Sequence, residues 1–396
     1  MKKVAAFVLS VVIVLGLFAC SKSAFVDGKS EITIVAQTDA SRKADHLTEF
    51  KTVSMLATTY HSVALKSDGT VWAWGSNSVG QLGNISSTLQ SVPIQINGID
   101  HVVAIAAGEA CTLGIKSDGT VWGWGMNLGM LFGDDASIKQ ATPIQVFGLS
   151  EIVAISAIDH AVALKKDGTV WTWGRNDRFQ LGDDSCSQRS FPAEVHGIDD
   201  VIAIAAGYWH TVALKRDGTV WTWGYRERLG VDVNQNSSKP VQVPFLSDIV
   251  SIAAGAHYTL ALKNDGTVWS WGSNYYGSLG DGTETHRNTP ERIEGLQNII
   301  AISTEISHAL AQDSDGAIWT WGGYDHNGSP PVIIKGLDNV SSFAAGDAHS
   351  LAIKKDGTVW AWGRNGQGQL GDGTTTNRDA PGQVKGPNGE GWLNLN

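Results

Sequence analysis

The sequence predicts an all-β protein, a seven-bladed β-propeller with about four antiparallel strands in each blade. The first observation is a repeated motif, Asp-Gly-Thr-Val-Trp-x-Trp-Gly with small variations, in a chain of 396 residues. Its seven copies begin at Asp68, Asp118, Asp167, Asp217, Asp265, Asp315 and Asp356. The steps between them are 50, 49, 50, 48, 50 and 41 residues, a period typical of stacked supersecondary units.

The second observation is the strand pattern inside each repeat, shown here for the fourth copy. Residues 201–207 are apolar and rich in small side chains, which is typical of a strand buried on both faces. Residues 210–215 alternate in polarity, and Asp217-Gly218 predicts a hairpin turn because such turns need positive φ. The fourth segment of a repeat follows a proline, which sheets tolerate at an edge. We therefore expect the first strand to be innermost and the fourth outermost.

The third observation is the paired tryptophans of the motif, which lie two residues apart and so share one face of a strand. We expect all 14 to pack between blades, each burying roughly 200 Å². Residues 392–395 lie where an eighth inner strand would begin, and we expect them to help close the ring.

The N-terminus reads as a targeting segment. Lys2 and Lys3 precede an apolar run over residues 4–19, which is short for a spanning helix and typical of a signal peptide. The run ends in a sequence that resembles a bacterial lipobox, which implies cleavage before Cys20 and lipid on its thiol; an uncleaved anchor helix is the alternative. We expect a signal peptide (1–19), lipidated Cys20 with a flexible linker (20–51) and a propeller (52–396).

This organisation predicts an extracytoplasmic monomer that a lipid anchors to a bacterial cell membrane. The net charge of −10 argues against a nucleic-acid partner, since affinity for phosphate rests on clustered Lys and Arg. Cys111 and Cys186 suggest neither a disulfide framework nor a metal knuckle, although a bridge between them remains an alternative.

The repeat elements together resemble the regulator of chromosome condensation repeat. The elements are Ala-Ala-Gly, a His, Ala-Leu-Lys, Asp-Gly-Thr-Val-Trp, Trp-Gly and Asn-x-x-Gly-Gln-Leu-Gly-Asp-Gly, over roughly residues 52–386. The resemblance implies a seven-bladed propeller. Nuclear members promote nucleotide exchange on a small GTPase and bind chromatin, which we do not expect of an acidic exported chain. A secreted bacterial inhibitor with a similar repeat binds its target enzyme through one ring face.

A histidine recurs seven residues before the motif Asp in five copies, at His61, His160, His210, His308 and His349. Since a residue repeated in most blades serves what every blade needs, we expect each imidazole to bond to backbone near the second strand. Ring spacing would hold these side chains too far apart to share one metal. The Gly-rich acidic stretches at Asp281 and Asp372 lack the ligand spacing of a calcium loop, so we expect no metal and no cofactor.

Aromatic and basic residues break the repeat template in the loops after the first and third strands, which should lie on one face of the ring. The candidate binding residues are Tyr60, Tyr208, Trp209, Tyr225, Arg226, Arg228, His257, Tyr275 and Tyr276. Arg178 and Phe179 occur in the same kind of loop. This composition is typical of binding hot spots, and aromatic side chains in turns have no core to fill. The alternative is that Tyr208 and Trp209 plug the central channel.

We therefore expect a binding scaffold that recognises a protein or cell-envelope polymer through this face. The ring of Trp209 would be an apolar anchor, with amphipathic contacts from Tyr208, Tyr225 and Tyr276. Arg226 and Arg228 would pair with carboxylates of the partner.

The chain contains no Gly-x-Ser-x-Gly elbow and no His-Glu-x-x-His pair, so we do not expect an enzyme. Three alternatives remain open. One is a lyase or hydrolase acting on an envelope polymer, with His257 or His326 as base. The others are an inhibitor of a secreted hydrolase and a structural module with no ligand of its own.

Overall fold

A computed structural model describes residues 54–57, 60–86, 88–108, 110–127, 129–133, 138–323 and 328–396. They form seven antiparallel sheets of four strands, and the strands of each sheet lie in chain order. This arrangement confirms the predicted all-β, seven-bladed propeller. The predicted signal peptide, Cys20 lipidation and linker all lie outside the described residues. Among the residues that are described, no helix is both long enough and apolar enough to cross a membrane.

Each blade runs from an inner to an outer strand. The inner strands are Ser54–Ala57, Val102–Ala107, Ile152–Ala157, Val201–Ala206, Ile249–Ala254, Ile299–Thr304 and Val340–Ala345. The second strands are His61–Leu65, Cys111–Lys116, His160–Lys165, His210–Lys215, Tyr258–Lys263, His308–Asp313 and His349–Lys354. The third strands are Val71–Gly75, Val121–Met126, Val170–Gly174, Val220–Gly224, Val268–Gly272, Ile318–Gly322 and Val359–Gly363.

The outer strands are Gln90–Gln95, Lys139–Val146, Arg189–Glu194, Ser237–Gln242, Arg287–Arg292, Val332–Ile333 and Arg378–Gln383. Short 3₁₀ turns occur at Arg226–Arg228, Tyr275–Gly277 and Pro387–Gly389. In six blades the proline lies inside the outer strand, as Pro240 does in blade 4, and not before it as we expected. The edge position is nonetheless correct, because an outer strand has no further neighbour that would need the missing N–H.

The Asp-Gly turns join the second and third strands as predicted. In blade 4, Gly218 has φ +81°, and the Asp217 carboxylate accepts hydrogen bonds from the backbone N (3.0 Å) and Oγ1 (2.6 Å) of Thr219. The motif aspartate therefore stabilises its own turn, and this structural role is sufficient to explain its presence in the motif.

The two tryptophans of each motif behave differently. The second is buried between blades, and in blade 4 the Nε1 of Trp223 donates to the Gln180 carbonyl of blade 3 at 2.9 Å. The first is only partly buried: Nε1 of Trp221 donates to Thr219 Oγ1 at 3.2 Å, and the ammonium of Lys215 lies 5.7 Å from its ring centroid. The first tryptophan of each pair still packs against an apolar core cluster, so the expectation that all 14 lie between blades holds in full for the second of each pair and in part for the first.

The recurring histidines link neighbouring blades. Nε2 of His160 lies 2.7 Å from Oγ1 of Thr211 in the next blade, and His349 of blade 7 lies 2.8 Å from Ser62 Oγ of blade 1. The same pairing joins His61 to Thr112, His210 to Thr259 and His308 to Ser350. The partner shared by all five is thus a hydroxyl of the next blade, where we had expected backbone; His308 also bonds to a carbonyl, that of Gly346.

Where the histidine is replaced, the hydroxyl of the next blade is replaced as well. Blade 2 carries Cys111 in place of the histidine, and the hydroxyl position of blade 3 is Ala161. Blade 5 carries Tyr258 in place of the histidine, and the hydroxyl position of blade 6 is Ala309. The hydroxyl of Tyr258 bonds instead to Thr304 Oγ1 of blade 6. Cys111 is buried, Cys186 is exposed and no disulfide joins them, so the alternative of a bridge between them is wrong.

The C-terminal segment closes the ring between blades 7 and 1. The N–H of Leu395 donates to the carbonyl of Gly357 at 3.1 Å, as Val102 N does to Gly69 O at the next seam. Leu395 therefore occupies the first position of an inner strand, as predicted. Leu393 and Leu395 are buried in one apolar cluster with residues of blades 1 and 7. The inner strands of blades 1 and 7 are also in direct contact.

Candidate binding face

The loops after the inner strands and after the third strands lie at one end of the propeller, which we call the loop face. In blade 4 these two loops are tied together, because Tyr225 N donates to Trp209 O at 2.7 Å. Gly224, at φ +110°, permits this approach, since a Cβ there would collide with the Trp209 carbonyl. Tyr208 N donates to Ala256 O of blade 5 at 2.9 Å, so the loops of blades 4 and 5 are also joined.

These loops bring six side chains together into what we call the aromatic cluster: Arg178, Tyr208, Trp209, Tyr225, Arg228 and His257. The ring of Trp209 lies 4.8 Å from that of His257 and 5.6 Å from that of Tyr225, centroid to centroid. Tyr208 is 5.4 Å from His257 on the same measure. The four rings are all partly exposed, so they neither fill a core nor project freely into solvent.

Two arginines contact the Tyr225 ring. The guanidinium carbon of Arg178 lies 5.6 Å from its centroid and 5.7 Å from that of Trp209, within the range of cation–π attraction. The guanidinium carbon of Arg228 lies 5.5 Å from the Tyr225 centroid. Arg178 is exposed, whereas Arg228 is only 5% exposed. The predicted direct ion pair between Arg228 and a partner therefore does not fit its burial.

The electrostatics of the cluster keep its imidazole neutral. Burial, with a further contribution from the positive charge of Arg228, lowers the pKa of His257 to about 4. A general base works best when its pKa lies near the working pH, so His257 is poorly matched to that role at neutral pH. His326, the other candidate base, lies outside the described residues.

The remaining predicted residues lie on the loop face but outside the cluster. Tyr60 of blade 1 is 46% exposed, and Tyr275 of blade 5 is 58% exposed and packs edge-on against His286 at 4.8 Å. Tyr276 adopts φ +59° and is 37% exposed. Arg226 is exposed beside the cluster, where its Nη1 donates to Asn234 O at 3.1 Å.

Residues 23–329 match the family model described as RCC1-like domain. The chain belongs to the RCC1-like domain family. Residues 340–369 and 356–393 of this RCC1-like chain also match models of the regulator of chromosome condensation (RCC1) repeat. The match extends over most of the propeller and agrees with the family resemblance of its motifs.

Solved structures share the RCC1-like fold at low sequence identity. Human WBSCR16 is 21% identical with a TM-score of 0.73, covering 81% of this chain and 96% of that one. Yeast RCC1 (Prp20), solved bound to Kap60, is 21% identical with a TM-score of 0.73, covering 89% and 91%. Prp20p from Saccharomyces cerevisiae, described with its binding to Gsp1p and histones, is 23% identical with a TM-score of 0.71, covering 83% and 88%. Identities this low show the fold alone.

Sequence reasoning missed one part of this RCC1-like loop face. An open cavity of about 380 Å³ lies beside the cluster, lined by Phe179, Tyr225, Arg226 and residues 234–236. The signal for it was the polar run Asn-Gln-Asn in the blade 4 loop, which the other blades lack. A larger open cavity of about 510 Å³ is lined by a loop residue of blade 2 and by a loop and the outer strand of blade 3, and none of its residues belongs to the aromatic cluster.

The acidic Gly-rich loops of the RCC1-like repeats have their carboxylates occupied. Asp281 accepts from Asn274 Nδ2 at 3.0 Å and pairs with Arg287 at 2.9 Å, and Asp372 pairs with Arg378 at 2.8 Å. Across the described parts of the chain, no group of three or more His, Cys, Asp or Glu is placed to hold a metal.

Calcium is therefore expected to leave the protein unchanged. Adding millimolar Ca²⁺, or removing it with EDTA, should shift the melting temperature by less than about 1 °C. A calcium ion bound tightly to the folded protein would instead raise the melting temperature by mass action. Differential scanning calorimetry measures this directly, and a saturable upward shift with Ca²⁺ would show that a site exists.

Proposed function

We propose that this RCC1-like protein is a non-catalytic binding protein that holds a protein partner against the loop face through the aromatic cluster. The observation that carries the proposal is the stack of four partly exposed rings, contributed by blades 4 and 5, with the cation of Arg178 from blade 3 against two of them. Such rings are fixed in the free protein by contacts with one another. A partner therefore loses little affinity to the ordering of these side chains.

Relatives favour a protein as the partner. Yeast RCC1 (Prp20) has been solved bound to Kap60, and Prp20p is described as binding Gsp1p and histones. Kap60, Gsp1p and histones are partners of those relatives. They support a protein, rather than a polymer, as the first partner to seek for the present chain.

We further propose that the protein acts outside the cytoplasm, anchored by lipid on Cys20. The support is the charge of Lys2 and Lys3, the apolar run 4–19 and the lipobox-like sequence that ends at Cys20. Metabolic labelling with a radioactive fatty acid tests this. The wild-type protein should take up label and Cys20→Ala should not; unlabelled wild-type protein would exclude the anchor.

The test of partner binding compares two equivalent positions of the ring. Trp209 and Tyr60 each stand directly before the second strand of their blade, but only Trp209 lies in the cluster. Full-length protein in detergent is used to capture partners from the envelope fraction, and the captured protein is then purified and its affinity measured. We expect Trp209→Ala to weaken binding by about 30-fold or more, the loss typical of a hot spot.

Tyr60→Ala serves as the control and should stay within about threefold of the wild type, because a peripheral contact contributes little. Both variants should melt at the wild-type temperature, since neither side chain is buried in the core. Equal weakening by both variants, or by neither, would place the binding surface elsewhere.

A further inference from the structure

We propose that the loop face recognises an acidic segment of its protein partner, with a partner carboxylate bound by the exposed guanidinium of Arg178 and attracted by the buried guanidinium of Arg228. The inference rests on the proposed function and names the chemistry of the partner. Arg228 is buried, which its loop position in the sequence did not predict.

Arg228 stands where three other blades carry a neutral amide. The residue before the Leu-Gly pair of this loop is Gln81 in blade 1, Gln180 in blade 3 and Gln369 in blade 7, and all three are buried. Each glutamine satisfies its own loop: Oε1 of Gln180 accepts the N–H of Arg178 at 2.8 Å, and the other two make the same contact. The blade 4 loop is shorter and has an arginine at this position.

The backbone at this position makes the same interblade contact in blades 3, 4 and 7. Nε1 of Trp271 donates to the carbonyl of Arg228 at 3.1 Å, as Trp223 does to Gln180 at 2.9 Å. Because the interblade contact uses only the main chain, a glutamine would preserve it. The feature of blade 4 that needs a separate explanation is therefore the charged side chain.

The charge of Arg228 is poorly compensated within the described residues. Its Nε has no hydrogen-bond partner, its Nη1 reaches the Glu227 carbonyl only at 3.4 Å, and the nearest carboxylate, that of Glu227, is 3.7 Å away. Burial lowers the pKa of the guanidinium, which remains charged at neutral pH all the same. A buried cation with weak partners is unfavourable in the free protein, and a nearby anion relieves that cost.

The neighbours of Arg228 add positive charge and supply little negative charge. Arg178 contacts the same Tyr225 ring and makes no ion pair with any described residue, while Arg226 shares Glu227 at 3.7 Å. Arg226 and Arg228 thus share one carboxylate and Arg178 has none, in a chain whose net charge is −10. This surface is therefore locally positive on a negatively charged protein, which favours an anionic group on the partner.

The mixture of rings and charge favours an acidic protein segment over an acidic polymer. A uniformly charged polymer is bound by a row of exposed cations along its length. Among the described residues of the cluster, Arg178 alone is an exposed and unpaired cation, and it is bordered by Trp209 and Tyr225. An aspartate or glutamate next to apolar side chains matches this surface.

The test selects peptides from a random display library on the full-length protein and measures the affinity of the best synthetic peptide. We expect enrichment of Asp or Glu beside apolar residues. Arg178→Gln and Arg228→Gln should each weaken the peptide by about tenfold or more, the loss expected when a charge close to a bound carboxylate is removed. Arg228→Lys, which keeps the charge, should remain within about threefold.

Folding is controlled by the same variants. Arg228→Gln restores the amide of blades 1, 3 and 7, so it should melt at or above the wild-type temperature while binding is lost. Loss of both stability and affinity would instead give Arg228 a merely structural role and overturn the inference.

The other outcomes separate the inference from the proposed function. Peptides that need Trp209 but lack acidic residues, or that bind Arg228→Gln equally well, would overturn the inference and leave the proposed function standing. Retention on polygalacturonate-agarose that depends on Arg228, with no acidic peptide selected, would replace the protein partner by an acidic polymer. Selection of no Trp209-dependent peptide would count against both.

Discussion

Lowering the pH from 7 to 5 is expected to destabilise the folded protein by several kcal/mol. Burial lowers the pKa of His61, His160 and His349 to about 3 and that of His257 to about 4. Burial also holds the pKa of His210 well below its usual range. Five imidazoles are thus neutral in the folded protein under conditions in which the unfolded chain, with ordinary values near 6.5, binds protons.

The direction follows from proton uptake on unfolding. These histidines leave stability undiminished above about pH 6.5, and stability falls as the pH drops from there toward the folded values near 3 to 4. Each proton contributes about 1.4 kcal/mol per pH unit, which is on the order of 2 kcal/mol per imidazole at pH 5. Five of them together amount to several kcal/mol, a large part of the stability of a typical protein. The turn carboxylates add their loss only at lower pH, because hydrogen bonds from the threonine two residues further on lower the pKa of Asp68, Asp118, Asp167, Asp217, Asp265 and Asp356.

Urea unfolding between pH 7 and pH 5 measures this dependence. His160→Gln should reduce the proton uptake on unfolding by about one. His101→Gln is the matched control, because the His101 side chain is 74% exposed, and it should leave the slope unchanged. A wild-type slope of less than one proton, or equal slopes in both variants, would mean that the buried imidazoles titrate normally in the folded protein.

Replacing Leu393 and Leu395 together by alanine is expected to cost about 4 kcal/mol or more. Both side chains are buried at the seam, and truncation of one buried leucine costs about 2–5 kcal/mol. The N–H of Leu395 also donates the main-chain hydrogen bond that the first residue of an inner strand, such as Val102, makes at the next seam. Chemical denaturation of the double variant measures the loss, and opening of the seam should make blade 1 the first region to exchange its amide hydrogens.

Trp392→Ala tests whether the loss belongs to the seam. Trp392 lies in the same segment but is 52% exposed, so its truncation should cost less than about 1 kcal/mol. A double leucine variant as stable as the wild type would show that the interblade histidine bonds and inner strands close the ring without the C-terminal segment.

Features set by local sequence were predictable, and features set by contacts between blades were less so. The Asp-Gly turn, the alternation of the second strand and the small residues of the inner strand each act within a few residues, and together they predicted the blade. The partner of His160 lies 51 residues away, and its identity requires knowing which blade faces which. The paired replacements Cys111 with Ala161 and Tyr258 with Ala309 were nevertheless present in the sequence.

The candidate site shows the same limit. Loop positions predicted that Tyr208, Trp209, Tyr225 and His257 share a face, because that follows from strand direction alone. Their stacking in one cluster, and the separation of Tyr60 and Tyr275 from it, depends on side-chain packing. The burial of Arg228 depends on a loop shorter than the template, so alignment to the other blades could locate the residue but not its exposure.

The histidine–hydroxyl pairs make the blades non-interchangeable. If blades 2 and 3 exchanged places, His61 would face Ala161 and lose its hydroxyl partner, while Thr211 of blade 4 would face Cys111 instead of His160. A buried imidazole without that partner costs about 1–3 kcal/mol at each faulty junction. The seven units are therefore not freely interchangeable: blades 3 and 6, which offer an alanine, must follow blades 2 and 5, which lack the histidine. A gene that broke this rule would specify a weaker ring even though every blade kept its own strands and turn.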